Sequence, residues 1–242
     1  IPSTVKRIEQ DAFRNNSTLE TVIMQEKVNS DGTIEGVEYI GANAFMECPN
    51  LTTVQMANSV TEVGNQVFYN CTNLKTINIS TELKVISSYM FSGCVSLTNI
   101  EIPEEITSIG YAAFSSCTNL ETIKLPSTLE TIDGTAFNEC TKLANIEIAE
   151  ENRNFSFENG ILLGNSGTEM VIILESAIKN NTLTIPDTVT SLKSGQISGF
   201  TQITTVNIPA SVTSIHAGFF QNNNITNVTI NSSNLKYEVI DN

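Results

Sequence analysis

Tryptophan is absent from the 242 residues, histidine occurs once, and 12 lysines and arginines stand against 26 acidic residues, for a net charge of −14. The basic residues are scattered, so nothing forms the stripe that phosphate neutralisation requires, and this argues against nucleic acid as a partner. No apolar run approaches the roughly 18 residues that a membrane-spanning helix needs. Met170 to Leu174 is far too short, so no transmembrane segment is expected in this chain. There is no initiator methionine and no signal peptide; the chain opens at Ile1-Pro2, a repeat boundary, and reads as a piece of something longer.

Cysteine, by contrast, is present and ordered. Cys48, Cys71, Cys94, Cys117 and Cys140 are each 23 residues apart. A fixed period of about 20 to 50 residues marks a solenoid or propeller, whose units bury their apolar faces only against neighbours. Around the cysteines the frame reads I-P-x-x-I-x-x-I-G-x-x-A-F-x-x-C-x-x-L-x-x-I-x-L over Ile102 to Leu125. Phe45, Phe68, Phe91, Phe114 and Phe137 precede the cysteines by three, and Phe13 and Phe220 hold that place in the outer units. Leu51, Leu74, Leu97, Leu120 and Leu143 follow by three.

Then come alternating pairs, Val54 and Met56, Ile77 and Ile79, Ile100 and Ile102, Ile123 and Leu125, Ile146 and Ile148. Alternation at period two predicts strands with one buried face. The three-residue spacing of Phe, Cys and Leu predicts a short helix or 3₁₀ turn. Gly41, Gly64 and Gly110 close a second short extended piece, and Ser87, Asp133, Lys193 and His216 stand in their place elsewhere. That exchange predicts a turn that prefers positive φ without demanding it.

About eight units fit the frame, which predicts a single domain over residues 1–242 interrupted near 25–36 and 149–181. Both interruptions read as β-hairpins standing off the solenoid, the first on Ser30-Asp31-Gly32-Thr33, the second on Phe155 to Leu174. The eighth unit has lost one residue before Ile225, and Asn234 to Tyr237 repeats the spacing of Asn152 to Phe155.

The recurring A-F-x-x-C-x-x-L frame resembles the BspA-like leucine-rich repeats, found mostly on bacterial surface proteins, from Ile1 to Ile230. It departs from the commonest leucine-rich repeat, in which Asn or Cys follows the L-x-L pair by three; here Ser59, Glu82, Glu105 or Thr128 takes that place. The resemblance implies a leucine-rich-repeat solenoid, α/β or mainly β, a curved right-handed coil with a parallel sheet. It also implies adhesion or protein binding at the cell surface or outside the cell, as a fragment of a longer surface protein. It brings no catalytic residue and no cofactor.

The residues agree with a non-enzyme. A row of thiols does not converge tetrahedrally as structural zinc requires, and parallel Cβ vectors disfavour disulfides between rungs, so buried reduced cysteines are expected. His216 sits at a turn without a nucleophile or carboxylate in reach of its spacing. Glu104-Glu105 and Glu150-Glu151 follow strands, where solvated charge is the ordinary state, and no calcium or phosphate loop motif occurs.

What the frame leaves exposed is the strand face. Thr76, Asn99, Thr122 and Asn145 form one ladder, and Asn78, Glu101, Lys124 and Glu147 form the next, with Lys124 between two carboxylates. These eight residues are the candidate binding face for a protein partner, such as a host extracellular-matrix or surface protein. The alternative is a carbohydrate-binding module of a larger surface protein. Tyr39, Tyr69, Tyr89 and Tyr111 are its only regular aromatic candidates, and they do not share one repeat position.

Overall fold

The computed structural model describes residues 1–221 and 223–237. The chain packs as two compact units, Ile1–Asn152 and Arg153–Asn242. Each is a mainly β solenoid built of parallel strands, and a single 3₁₀ segment, Glu175–Ala177, is the only helix among the described residues.

In the first unit the alternating segments form one line of parallel strands. Thr21–Ile23, Thr53–Gln55 and Thr76–Asn78 pair in register Thr21↔Thr53↔Thr76, and Thr122–Leu125 pairs with Asn145–Ile148 in register Lys124↔Glu147. The coil between them joins through a bridge, Glu101↔Lys124. A second line runs through Arg7–Ile8, Tyr39–Ile40 and Glu62–Val63, then Val85–Ile86, Ser108–Ile109 and Thr131–Ile132. Val22, Val54, Ile123 and Ile146 turn inward and are buried.

The phenylalanine column lies inside, as the period requires. Phe13, Phe45, Phe68, Phe91, Phe114 and Phe137 stack ring on ring, with centroids 5.1, 5.5, 5.8, 5.3 and 5.5 Å apart in that order. The cysteines beside them are free and buried. Their thiols have a polar partner that apolar packing alone would not demand. Cys48 Sγ donates to Phe13 O at 3.1 Å, and Cys71, Cys94, Cys117 and Cys140 donate to the Phe carbonyl one coil back at 3.1, 3.2, 3.2 and 3.1 Å. The S–H is a weak donor, and at Phe13, Phe68, Phe91 and Phe114 it adds a second bond to a carbonyl that already accepts the backbone N–H three residues on.

The expected short helices do not form. Two residues per coil, two and six places after the glycine position, adopt left-handed φ: Asn43 (57°) and Glu47 (56°), Gln66 (60°) and Asn70 (54°), Tyr89 (57°) and Gly93 (76°), Ala112 (49°) and Ser116 (59°). Each such residue turns the next peptide, so alternate N–H groups serve different partners. Met46 N donates back to Asn43 O at 3.0 Å, whereas Phe45 N donates forward to Val67 O on the next coil at 3.0 Å. The pattern repeats with Phe68 to Met90 and Phe91 to Ala113. A continuous helix would keep these donors within its own coil; isolated turns share them with the neighbour.

The glycine position also differs from expectation. Gly41, Gly64 and Gly110 do not have positive φ. A Cβ on Gly64 would lie 2.8 Å from Ala42 Cα, and one on Gly41 would lie 2.8 Å from Gln10 Cα. Glycine serves there because the preceding coil's backbone passes too close for a side chain. Ser87, in the same place, converts that approach into a hydrogen bond, Oγ to Gly64 O at 2.6 Å.

The first interruption is a hairpin, Lys27–Val28 antiparallel to Ile34–Glu35. The second is not a hairpin set apart from the core. Ser156–Glu158, Ile161–Gly164 and Glu169–Ile173 form an antiparallel meander whose last strand pairs in parallel with Ser191–Leu192, and Ile161, Leu163 and Met170 belong to the core of the second unit. Ile161–Gly164 is buried on both faces and Glu169–Ile173 on alternate residues, so the meander is part of the core. Ile178–Lys179 then turns onto Thr182–Thr184, which begins a parallel line continued by Thr205–Ile208 and Asn227–Ile230.

In the last coil the core ring is Phe219, 1% exposed, and Phe220 is 37% exposed. Leu192 pairs with Ile215, an offset of 23, but Val206 pairs with Val228, an offset of 22. Gln221 N donates to Gly218 O as Ser198 N does to Gly195 O, still an offset of 23, so the missing residue falls after Gln221. Phe220 keeps the phenylalanine place, and the buried Phe219 stands in the place that Ala44 and Met90 fill in other coils. The shared spacing after Asn152 and Asn234 has a physical basis. Asn152 Nδ2 donates to Pro126 O and Leu129 O at 2.8 and 3.1 Å, and Asn234 Nδ2 to Pro209 O and Val212 O at 3.1 and 2.9 Å. In each unit one buried amide satisfies two carbonyls of the coil before it.

Candidate interaction surface

All eight ladder residues are solvent-exposed: Thr76, Asn78, Asn99, Glu101, Thr122, Lys124, Asn145 and Glu147. Lys124 stands in register between Glu101 and Glu147. No ion pair within 4.0 Å joins it to either carboxylate among the described residues, and its charge instead helps hold the Glu104 carboxyl below its usual range, behind the hydrogen bonds from Ser127. The second unit carries a ladder that the sequence reading did not single out. Asn207 Nδ2 donates to Thr184 Oγ1 at 3.1 Å, and Thr229 Oγ1 donates to Asn207 Oδ1 at 2.5 Å, linking three adjacent strands.

Where these strands end, both units have a groove at the same station of the repeat. In the first unit Ile23, Gln55, Met56, Asn58, Asn78 and Ile79 are among the residues lining a cleft of about 510 Å³. Asn78, Ile79, Glu101 and Pro103 line a neighbouring one of about 220 Å³. In the second unit Thr184, Asn207 and Thr229, with Ile185, Ile208 and Pro209, line a cleft of about 290 Å³. The mouth in the first unit is partly apolar. Ile23, which lines it, is 50% exposed. Asn58 is fixed by its own bonds: its N–H donates to Glu26 Oε2 at 2.7 Å, and its Oδ1 accepts from Thr81 N and Oγ1 at 3.2 and 3.1 Å.

The tyrosines are not scattered as their repeat positions implied. Tyr69, Tyr89 and Tyr111 lie on successive coils and meet edge to face, with centroids 6.3 and 5.1 Å apart and planes at 77° and 72°. Tyr39 is separate, covered by the Arg7 guanidinium 3.9 Å from its ring centre. The diagonal contact across coils was invisible to a column-by-column reading, because each tyrosine occupies a different place in the frame.

Burial pushes the thiols up, to about 12 for Cys71 and Cys140 and well above the usual range for Cys94. A thiol held neutral this strongly is a poor nucleophile or metal ligand. His216 is exposed at its turn. No cluster of three or more His, Cys, Asp or Glu side chains able to hold a metal ion occurs among the described residues. No helix among them is long and apolar enough to cross a membrane.

Among solved structures, the chain is similar to a leucine-rich repeat protein from Eubacterium ventriosum, with 22% identity, a TM-score of 0.62, and coverage of 89% of this chain and 67% of that one. It is also similar to the pneumococcal vaccine antigen PcpA, with 16% identity, a TM-score of 0.62, and coverage of 95% of this chain and 64% of that one. No curated protein matches the chain. The model of the BspA type leucine-rich repeat region matches residues 1–33, 38–160 and 173–239 in six copies, so the chain belongs to the BspA-type leucine-rich repeat family.

Proposed function

We propose that this chain is a non-enzymatic interaction module of a cell-surface or secreted protein, and that it binds a protein partner through the strand face. The observation that carries this reading is the pairing of exposed polar ladders with a groove at the strand ends, at the same repeat station in each unit. Regular polar ladders give a partner orientation and specificity, and half-exposed Ile23 beside the groove offers apolar area to bury. Family membership points the same way, since solenoid repeats commonly present broad binding surfaces. An extracellular-matrix protein on a host surface is the partner class to try first.

The test is a binding assay of the chain against immobilised fibronectin, fibrinogen, laminin and collagen. Lys124→Glu places three carboxylates on successive rungs, so it should weaken docking of an acidic partner several-fold and steepen the salt dependence. Bulky substitutions at Asn99 and Thr122 should weaken any partner on this face. Affinity unchanged by all three substitutions would move the site off the ladder, most naturally to the hairpin of Lys27–Val28 and Ile34–Glu35, where Val28 is exposed.

A further inference from the structure

Coils three to five carry a patch unlike the rest of this acidic surface. The turn segments 65–70, 88–93 and 111–116 contain no charged residue, although the chain as a whole has a net charge of −14. Charge returns on either side, at Glu47 in the coil before and at Asp133 and Glu139 in the coil after. Within the neutral zone lie Tyr69, Tyr89 and Tyr111, joined edge to face, and Tyr111 keeps 49% of its surface open. The same segments supply amides and hydroxyls, Asn65, Gln66, Asn70, Ser88 and Ser115; Ser116 Oγ donates instead to Glu139 Oε2 at 2.7 Å, at the edge of the patch.

The rings are held from below. Tyr89 N donates to Tyr111 O at 2.9 Å and Glu47 N to Tyr69 O at 2.7 Å, so the backbone under each tyrosine is fixed by the inter-coil ladder. Left-handed φ at Tyr89, 57°, sets the direction from which its side chain leaves the coil. A β-propensity argument does not explain a tyrosine there, since a bulky aromatic residue at positive φ is uncommon and costs conformational energy.

We propose that Tyr69, Tyr89 and Tyr111 form a binding site for a neutral oligosaccharide on the turn side, distinct from the strand face. Aromatic faces pack on the apolar C–H side of a pyranose ring, and neighbouring amides and hydroxyls bond its hydroxyl groups. An anionic ligand would meet an acidic chain with no basic residue in the patch, and a cationic one would find no carboxylate within these segments. A neutral polyol is the class that matches an uncharged, aromatic, hydrogen-bonding surface.

The chain reports on this site by itself. It has no tryptophan and five tyrosines, three of them in the patch, so tyrosine emission and ultraviolet difference spectra read the patch directly. Titration with cellohexaose, maltohexaose, chitohexaose and mannohexaose should give a saturable tyrosine signal with at least one of them, and heparin should give none. Tyr111→Ala should weaken that binding roughly tenfold, the loss expected for one stacked ring. Tyr111→Phe should retain most of it, and Lys124→Glu should leave it unchanged. Absence of a saturable signal with all four neutral probes overturns the proposal without recourse to variants. So does a response confined to heparin, binding that survives Tyr111→Ala, or binding abolished by Lys124→Glu.

Discussion

A thiol kept neutral by burial couples stability to alkaline pH, and the direction follows from which state releases protons. An unfolded cysteine ionises near 8.5, whereas Cys71 and Cys140 in the folded chain hold their protons up to about 12. The contribution is complete below about 8.5 and is lost as pH climbs toward 12, because only the unfolded state sheds the proton in that window. Each such thiol should steepen the fall of unfolding free energy by about 1.4 kcal/mol per pH unit. Urea midpoints at pH 8.5, 9.5 and 10.5 should therefore fall less steeply for Cys71→Ala than for the parent chain; equal slopes would mean that the thiol ionises freely in the folded state. In native protein at neutral pH, disulfide reagents should label the five cysteines slowly, and in denaturant all five should react at once. The sequence disclosed the column, since Cys recurs every 23 residues, but not the bond each thiol donates, because a small apolar residue would satisfy the same period. Phe220 shows the same limit: the frame gives its place, but not that in the last coil the buried ring is Phe219, one place earlier, where Ala44 and Met90 stand in other coils.

At the level of the coil, the left-handed stations decide whether the Phe, Cys and Leu spacing becomes helix or a chain of turns. Their residue types carry little warning. Asn43, Asn70 and Gly93 are favourable there, but Glu47, Gln66, Tyr89 and Ala112 occupy equivalent places. Three-residue spacing is common to helices and isolated turns, so it could not separate them. Glu47 and Gly93 share the station six places after the glycine position, which allows opposite substitutions to be compared. Gly93→Ala puts a Cβ against Asn70 Oδ1 at φ 76°, and should cost about 1–2 kcal/mol or more. Glu47→Gly relieves a non-glycine residue at φ 56° and should be neutral or gain up to about 1 kcal/mol, after the extra freedom that glycine gives the unfolded chain. Thermal or urea unfolding distinguishes them, and destabilisation by both would remove backbone strain as the explanation. The second interruption was readable in part. Phe155 to Leu174 read as paired strands, but whether such a segment stands off or joins the core depends on a free strand edge elsewhere, here Ser191–Leu192.

Over the whole chain, the repeat period made the architecture and the exposed ladders legible and left the tyrosine cluster dark, for one physical reason. A column that recurs must satisfy the same neighbours in every coil, so it records packing; a site that contacts a partner once need not recur, and Tyr69, Tyr89 and Tyr111 break the frame where they meet. The recurrence also sets how damage spreads. The Phe114 ring stacks on those of the adjacent coils, Phe91 at 5.3 Å and Phe137 at 5.5 Å. Phe114→Ala should cost about 3–5 kcal/mol through lost transfer energy and the cavity left behind. Because solenoid stability is a sum of coil terms and nearest-neighbour interfaces, the loss should fall on coils four to six, from Val85 to Ile148. Amide exchange there should quicken by orders of magnitude, while protection of Thr205–Ile208 and Asn227–Ile230 in the second unit should hold. Even loss of protection from Arg7 to Ile230 would instead mean that the two units unfold as one cooperative body, with the stacked rings serving the whole chain and not only their neighbours.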